Sequence, residues 1–195
     1  MDPLDEPVAW ARAVAGDGNA FGRLFDAHSA RVFRHARRLT DDVRDAEDVT
    51  AAAFLELWRR RRNVRIVNES VLPWLLVTAT NLSLNQRRGL RRYRTLLARL
   101  PRNNGEGREA AGLLPEDLAV DPELLANIRA LNPLDQKLLA LVALEDVPLR
   151  EAAEALGLSE QAARSRWQRL RKRIAADYTP PGALAVASTT DWRSQ

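Results

Sequence analysis

Apolar residues recur at helical spacing along most of the chain. Residues 7–15 predict a short helix stopped by Gly16-Asp17-Gly18, and a longer one follows from Asn19, read as its cap, to about Leu39. There Phe21, Phe25, His28, Val32, Ala36 and Leu39 share a face. Thr40-Asp41-Asp42 breaks the pattern, and a third helix spans about Asp45 to Arg62 with Val49, Ala53 and Leu57 in a stripe beside Phe54 and Trp58. Residues 63–72 interrupt the periodicity as a loop. Pro73, suited to a first helical turn, opens a helix to about Leu90 that carries Trp74, Val77, Leu82 and Leu84. Between Pro101 and Glu123 the chain turns acidic and Gly/Pro-containing and loses periodicity, which reads as a linker. Helices near 122–130 and 133–145 follow, the second with Leu134, Leu138, Leu141 and Val142 in a stripe. After Asp177, paired prolines and small residues read as a flexible tail.

The stretch Pro148–Ile174 has a pattern of its own. Leu149, Ala152, Ala153 and Leu156 form one short stripe, Gly157 stops it, and Ser159 is placed to cap a second helix. In that helix Ala163, Trp167, Leu170 and Ile174 make the buried stripe. Gln161, Arg164, Ser165, Gln168, Arg169 and Lys172 lie roughly opposite, all able to donate hydrogen bonds. Two short helices around a glycine turn are a helix-turn-helix. An outer face of amide, hydroxyl and guanidinium groups suits the major groove, where Arg reads guanine and Gln reads adenine. Such geometry also occurs in bundles that touch no DNA, but between Glu160 and Ile174 six basic residues stand against one acid. That asymmetry favours DNA.

Charge sharpens the picture elsewhere. The third helix begins with Asp45, Glu47 and Asp48 and ends in four arginines, each sign matching the helix dipole. From Arg87 to Arg102 there are seven arginines and no acid, more than capping a helix end requires. Asn81, Asn85 and Arg88 precede or begin that run. The whole chain of 195 residues carries a formal charge of +4 with 46% hydrophobic residues, enough for one or two real cores. Lysine occurs only at 137 and 172; the remaining base is Arg, which keeps its charge and forks onto phosphate. With no cysteine there is no disulfide or thiolate metal site. The acidic start lacks the features of a signal peptide, and no apolar run approaches the ~18 residues of a membrane span. A cytoplasmic protein without a membrane partner is expected.

Four stretches, FGRLFDAHSARVFRHARRL, DAEDVTAAAFLELW, PWLLVTATNLSLNQRR and the helix-turn-helix, arrive in an order and spacing that resemble the bacterial RNA polymerase sigma factors of the extracytoplasmic-function (ECF) type. The resemblance covers most of residues 19–175. It implies an all-α fold of two small helical domains joined by a flexible linker: residues 7–99 binding core polymerase and the −10 element, a linker at 100–121, residues 122–177 reading the −35 element, and a tail at 178–195. By the same resemblance Asp45, Glu47 and Asp48 face the polymerase clamp, while Asn81, with Asn85 and Arg88 and the loop before it, meets the melted −10 strand. Gln161, Arg164, Ser165, Gln168, Arg169 and Lys172 meet the −35 duplex. The implied partners are core RNA polymerase, promoter DNA and an anti-sigma factor. Two departures from the family pattern stand out: Ala51-Ala52 replaces a common Gln-Glu pair, and Asn85 replaces a common aspartate.

Other classes fit less well. His28 and His35 lie seven apart on one helix with no carboxylate-rich constellation expected around them, so neither catalysis nor a metal or other cofactor is expected. The competing reading is a stand-alone helix-turn-helix regulator that binds duplex promoter DNA as a dimer. Run-off transcription with core polymerase separates the two.

Overall fold

The computed structural model describes residues 4–97 and 122–177, with the side chains at 90–97, 122, 123, 125, 176 and 177 outside the description. The expected linker and tail lie almost wholly outside these residues. The N-terminal half comprises α1 (Glu6–Val14), α2 (Gly18–Leu39), α3 (Val43–Arg60) and α4 (Leu72–Leu97). The C-terminal half comprises α5 (Pro122–Arg129), α6 (Pro133–Leu139), a π-helical turn at Ala140–Leu144, α7 (Leu149–Ala155) and α8 (Glu160–Asp177).

Caps account for most boundaries. Asp17, not Asn19, caps α2, accepting from the Asn19 and Ala20 amides at 2.9 and 3.1 Å. A carboxylate at a helix N-terminus gains from the dipole as well as the hydrogen bond, and Arg12 secures it from α1. Asp42 caps α3 through the Arg44 amide. The segment before α4 is a tight turn rather than an open loop. Val67 and Ser70 exchange two backbone bonds of 3.1 Å around Asn68 and Glu69, both at positive φ. The fourth helix runs past Leu90 to Leu97. The expected helix over 133–145 is interrupted, because its last turn widens at Ala140–Leu144 and Asp146 takes φ +53°. Widened turns of this kind re-aim the side chains and carbonyls that follow them.

In the N-terminal half α2, α3 and α4 bury Leu24, Val32, Ala36, Val49, Ala53, Phe54, Leu57, Leu75 and Ala79. The expected stripe on α2 holds at Val32 and Ala36, both fully buried, but Phe25 is 41% exposed and Leu24 takes the interior in its place, while Phe25 packs edge-on against Phe54. In the C-terminal half Leu131, Leu138, Leu141, Val147, Ala152 and Leu170 cluster. Leu76 of α4 joins this second cluster and is fully buried, so the two halves share an interior.

Candidate nucleic-acid interface and the seam beside it

The helix-turn-helix forms as its residues dictate. Ala152 and Ala153 of α7 are buried. Gly157 adopts φ +67°, a conformation that costs an L side chain about 1–2 kcal/mol. The Leu158 amide returns to the Ala153 carbonyl at 2.8 Å, and the Ser159 hydroxyl accepts from the Ala162 amide at 3.2 Å. In α8, Ala163 and Leu170 are buried, and Arg166 anchors the helix to Asp135 of α6 at 3.0 Å. Gln161, Arg164, Ser165, Gln168, Arg169 and Lys172 are all exposed on the opposite side. Arg169 leans back onto the Ser165 carbonyl at 3.3 Å; this face is otherwise free to meet a groove.

On α4, Asn81 is half-buried and Asn85 and Arg88 are exposed, in line at spacings of four and three. Arg88 also edges a cavity of about 200 Å³ between the halves, floored by Leu84, Ile128 and Leu131 and rimmed by Arg38 and Arg129. Burial, and then the charge of Arg88, lower the Lys137 ammonium below its ordinary range. On α3 Glu47 and Asp48 are exposed. Asp45 is not: half-buried, it accepts from Gln86 of α4 at 2.6 Å and so helps dock α3 on α4.

Sequence reasoning missed Glu145, which is only 6% exposed. One of its carboxylate oxygens receives Arg31 Nε at 3.1 Å; the other receives His35 Nδ1 at 3.1 Å and Arg38 Nη1 at 2.9 Å. Arg31 and Arg38 also donate to the carbonyls of Glu145 and Leu144, at 2.7 and 2.5 Å. Fully buried His35 reaches Thr80 of α4 through Nε2 at 2.8 Å. The two histidines thus do face carboxylates, contrary to expectation: His28 Nε2 lies 2.9 Å from Glu6, and His35 meets a residue 110 positions away. A further edge of the seam joins Asn68 to Glu151 at 3.1 Å and Arg65 to Glu154 at 3.6 Å.

Burial opposes the charge on Glu145, but the His35 hydrogen bond, the charges of His35 and Arg38 and the Arg31 bond outweigh it and hold the carboxyl below its ordinary range. A depressed folded-state value means that the stabilisation is present at neutral pH and lost as pH falls through that value. Urea denaturation from neutral to acidic pH should therefore show a stability loss that Glu145→Gln reduces but does not abolish, since the Glu6 and Asp17 carboxyls are lowered as well. Equal pH slopes for the two proteins would remove Glu145 from the linkage.

Among the described residues no helix is long and apolar enough to cross a membrane, and no group of three or more His, Asp or Glu side chains is arranged to hold a metal.

Residues 24–93 match the family described as Sigma-70 region 2, and residues 123–174 match Sigma-70, region 4. The chain is 30% identical over 183 residues to the RNA polymerase sigma factor NccH of Alcaligenes xylosoxydans xylosoxydans, covering 90% of this chain and 95% of that protein. It is 31% identical over 186 residues to the ECF RNA polymerase sigma factor SigE of Mycolicibacterium smegmatis, covering 91% and 70%. Against the ECF RNA polymerase sigma factor BldN of Streptomyces coelicolor the identity is 31% over 157 residues, 77% of this chain and 57% of that longer protein. The fold is similar to that of CnrH in its complex with the cytosolic domain of CnrY, with a TM-score of 0.59 at 22% identity over 89% of this chain and 96% of that one.

Proposed function

Because this chain belongs to the sigma-70 family of RNA polymerase sigma factors, of the ECF type, we propose that it joins core polymerase and directs initiation by dividing promoter reading between α8 and α4. The observation that carries the division is a donor-rich line on a helix in each half: the α8 face is exposed, and on α4 exposed Asn85 and Arg88 follow half-buried Asn81. The α8 face has the length and chemistry for duplex −35 DNA, with Arg and Gln presented to base edges. The Asn81–Asn85–Arg88 line suits an unpaired −10 strand, since extruding a base costs a few kcal/mol and needs a polar receiver. Its role is that of a DNA-binding initiation factor without a catalytic centre of its own, acting in the cytoplasm. An anti-sigma factor is the partner that would hold it in reserve.

Glu47 and Asp48 are the polymerase-facing residues in this reading. They are exposed at the start of α3, while Asp45 supports them by holding α3 against α4. Reversing both to lysine should weaken association with core polymerase by more than ~1 kcal/mol, the scale of a few desolvated charge pairs. Co-purification of the folded double variant at the wild-type level would take them out of that interface. Run-off transcription with purified core polymerase tests the function as a whole: promoter-dependent transcripts are expected only when this chain is added. Sequence-specific binding of a palindromic duplex by the chain alone, with no effect on polymerase, would favour a stand-alone regulator.

A further inference from the structure

The cavity bounded by α4 and the α5–α6 corner has a divided chemistry. At about 200 Å³ it is far larger than the ~10–15 Å³ that a single water needs. Its floor is aliphatic, from Leu84, Ile128 and Leu131, and its rim is cationic. Arg38 is already committed there, donating to the Leu144 carbonyl and to Glu145. Arg88 and Arg129 are not: among the described residues neither pairs with a carboxylate, and Arg129 Nε is buried without an acceptor. No Asp or Glu is among the described lining residues. The Lys137 ammonium adds to the imbalance, since the charge of Arg88, after burial, lowers it. The wall itself is preformed. Gln136 Nε2 lies 3.3, 3.1 and 2.9 Å from the carbonyls of Ile128, Arg129 and Leu131, which fixes the corner that carries Ile128 and Arg129.

We propose that this cavity is a binding site for a small amphipathic anion, a medium-chain aliphatic carboxylate, with its chain on the Leu84–Ile128–Leu131 floor and its oxyanion at the Arg88–Arg129 rim. A few polar groups converging on a preformed apolar cavity are the usual makings of a small-molecule site. Guanidinium groups suit a carboxylate because their donors fork onto its two oxygens. A buried charged donor left without an acceptor is costly, and the ligand would supply one to Arg129. The rival occupants each satisfy one half of the cavity. Water answers the rim but finds no polar partners on the floor. A neutral hydrocarbon answers the floor and leaves the rim unneutralised. A nucleic-acid phosphate can meet the rim, but a sugar-phosphate backbone brings no aliphatic body for the floor. The site does not depend on how α4 and α8 divide the promoter.

The test uses the full chain, in which isoleucine occurs only at 66, 128 and 174. Of the three only Ile128 lines the cavity, so isoleucine methyl NMR reports occupancy by position. Titration with octanoate should shift Ile128 saturably and leave Ile66 and Ile174 in place. Octanol offers the chain without the charge, and acetate and inorganic phosphate the charge without the chain; each should bind at least about tenfold more weakly, the scale of one lost charge-assisted hydrogen bond or of a few buried methylenes. Arg129→Gln should weaken octanoate binding by on the order of tenfold for the same reason. Arg88→Gln, at an exposed position where folding is not at stake, should weaken it in the same direction, and Arg23→Gln, exposed on α2 and outside the lining, should leave it unchanged. No saturable shift of Ile128 at millimolar octanoate would overturn the site, as would equal shifts at all three isoleucines. Octanol, acetate or phosphate binding as tightly as octanoate would overturn the amphipathic assignment. Wild-type affinity in both Arg88→Gln and Arg129→Gln would overturn the role of the rim.

Discussion

Truncating Leu76 to alanine is expected to cost about 2–5 kcal/mol of unfolding free energy, the range for a fully buried leucine whose site cannot wholly collapse. Leu75, equally buried one residue earlier, belongs to the N-terminal cluster and should cost a similar amount when truncated. The two differ in kind. Leu76 lies in the C-terminal cluster, so its loss should also uncouple the halves and split a single urea transition into two, whereas Leu75→Ala should lower the midpoint of the transition and leave it single. Coincident single transitions for both variants would mean that Leu76 does not couple the halves.

At the DNA surfaces, alanine at Gln168 or Arg169 should weaken promoter binding by holoenzyme and relax base preference in the −35 element by about 1–3 kcal/mol at each base contacted. Alanine at Asn81 should leave −35 protection in place and reduce strand opening, visible as loss of permanganate reactivity around −10. Holoenzyme is the right vehicle, since a separated C-terminal half would lack Leu76 from its core. Normal melting by Asn81→Ala, together with unaltered binding by the two α8 variants, would show that both helices have been given the wrong chemistry.

Much of this was legible in the chain because it is local. Helical periodicity and a glycine followed by serine specify α7, the turn and α8 within 30 residues; the exposed face of α8 came out as read, and of its expected buried stripe Ala163 and Leu170 are buried while Trp167 and Ile174 are half-buried. Boundaries shifted where two caps competed: Asp17 prevailed over Asn19 because only it adds a full charge at the dipole. Periodicity also says which face is buried but not against what. His35 and Glu145 are 110 residues apart, and nothing in either neighbourhood marks them as partners. The same holds for Leu76, whose stripe is equally compatible with one core or two. Asp45 shows a related limit: three acids in one turn look alike in sequence, but only one is drawn inward to Gln86.

The sharing of one carboxylate by Arg31, His35 and Arg38 constrains position 145 by length as well as by charge. Aspartate there keeps the charge but draws the carboxyl back by one methylene, away from donors fixed on another helix, and leaves buried donors without their acceptor.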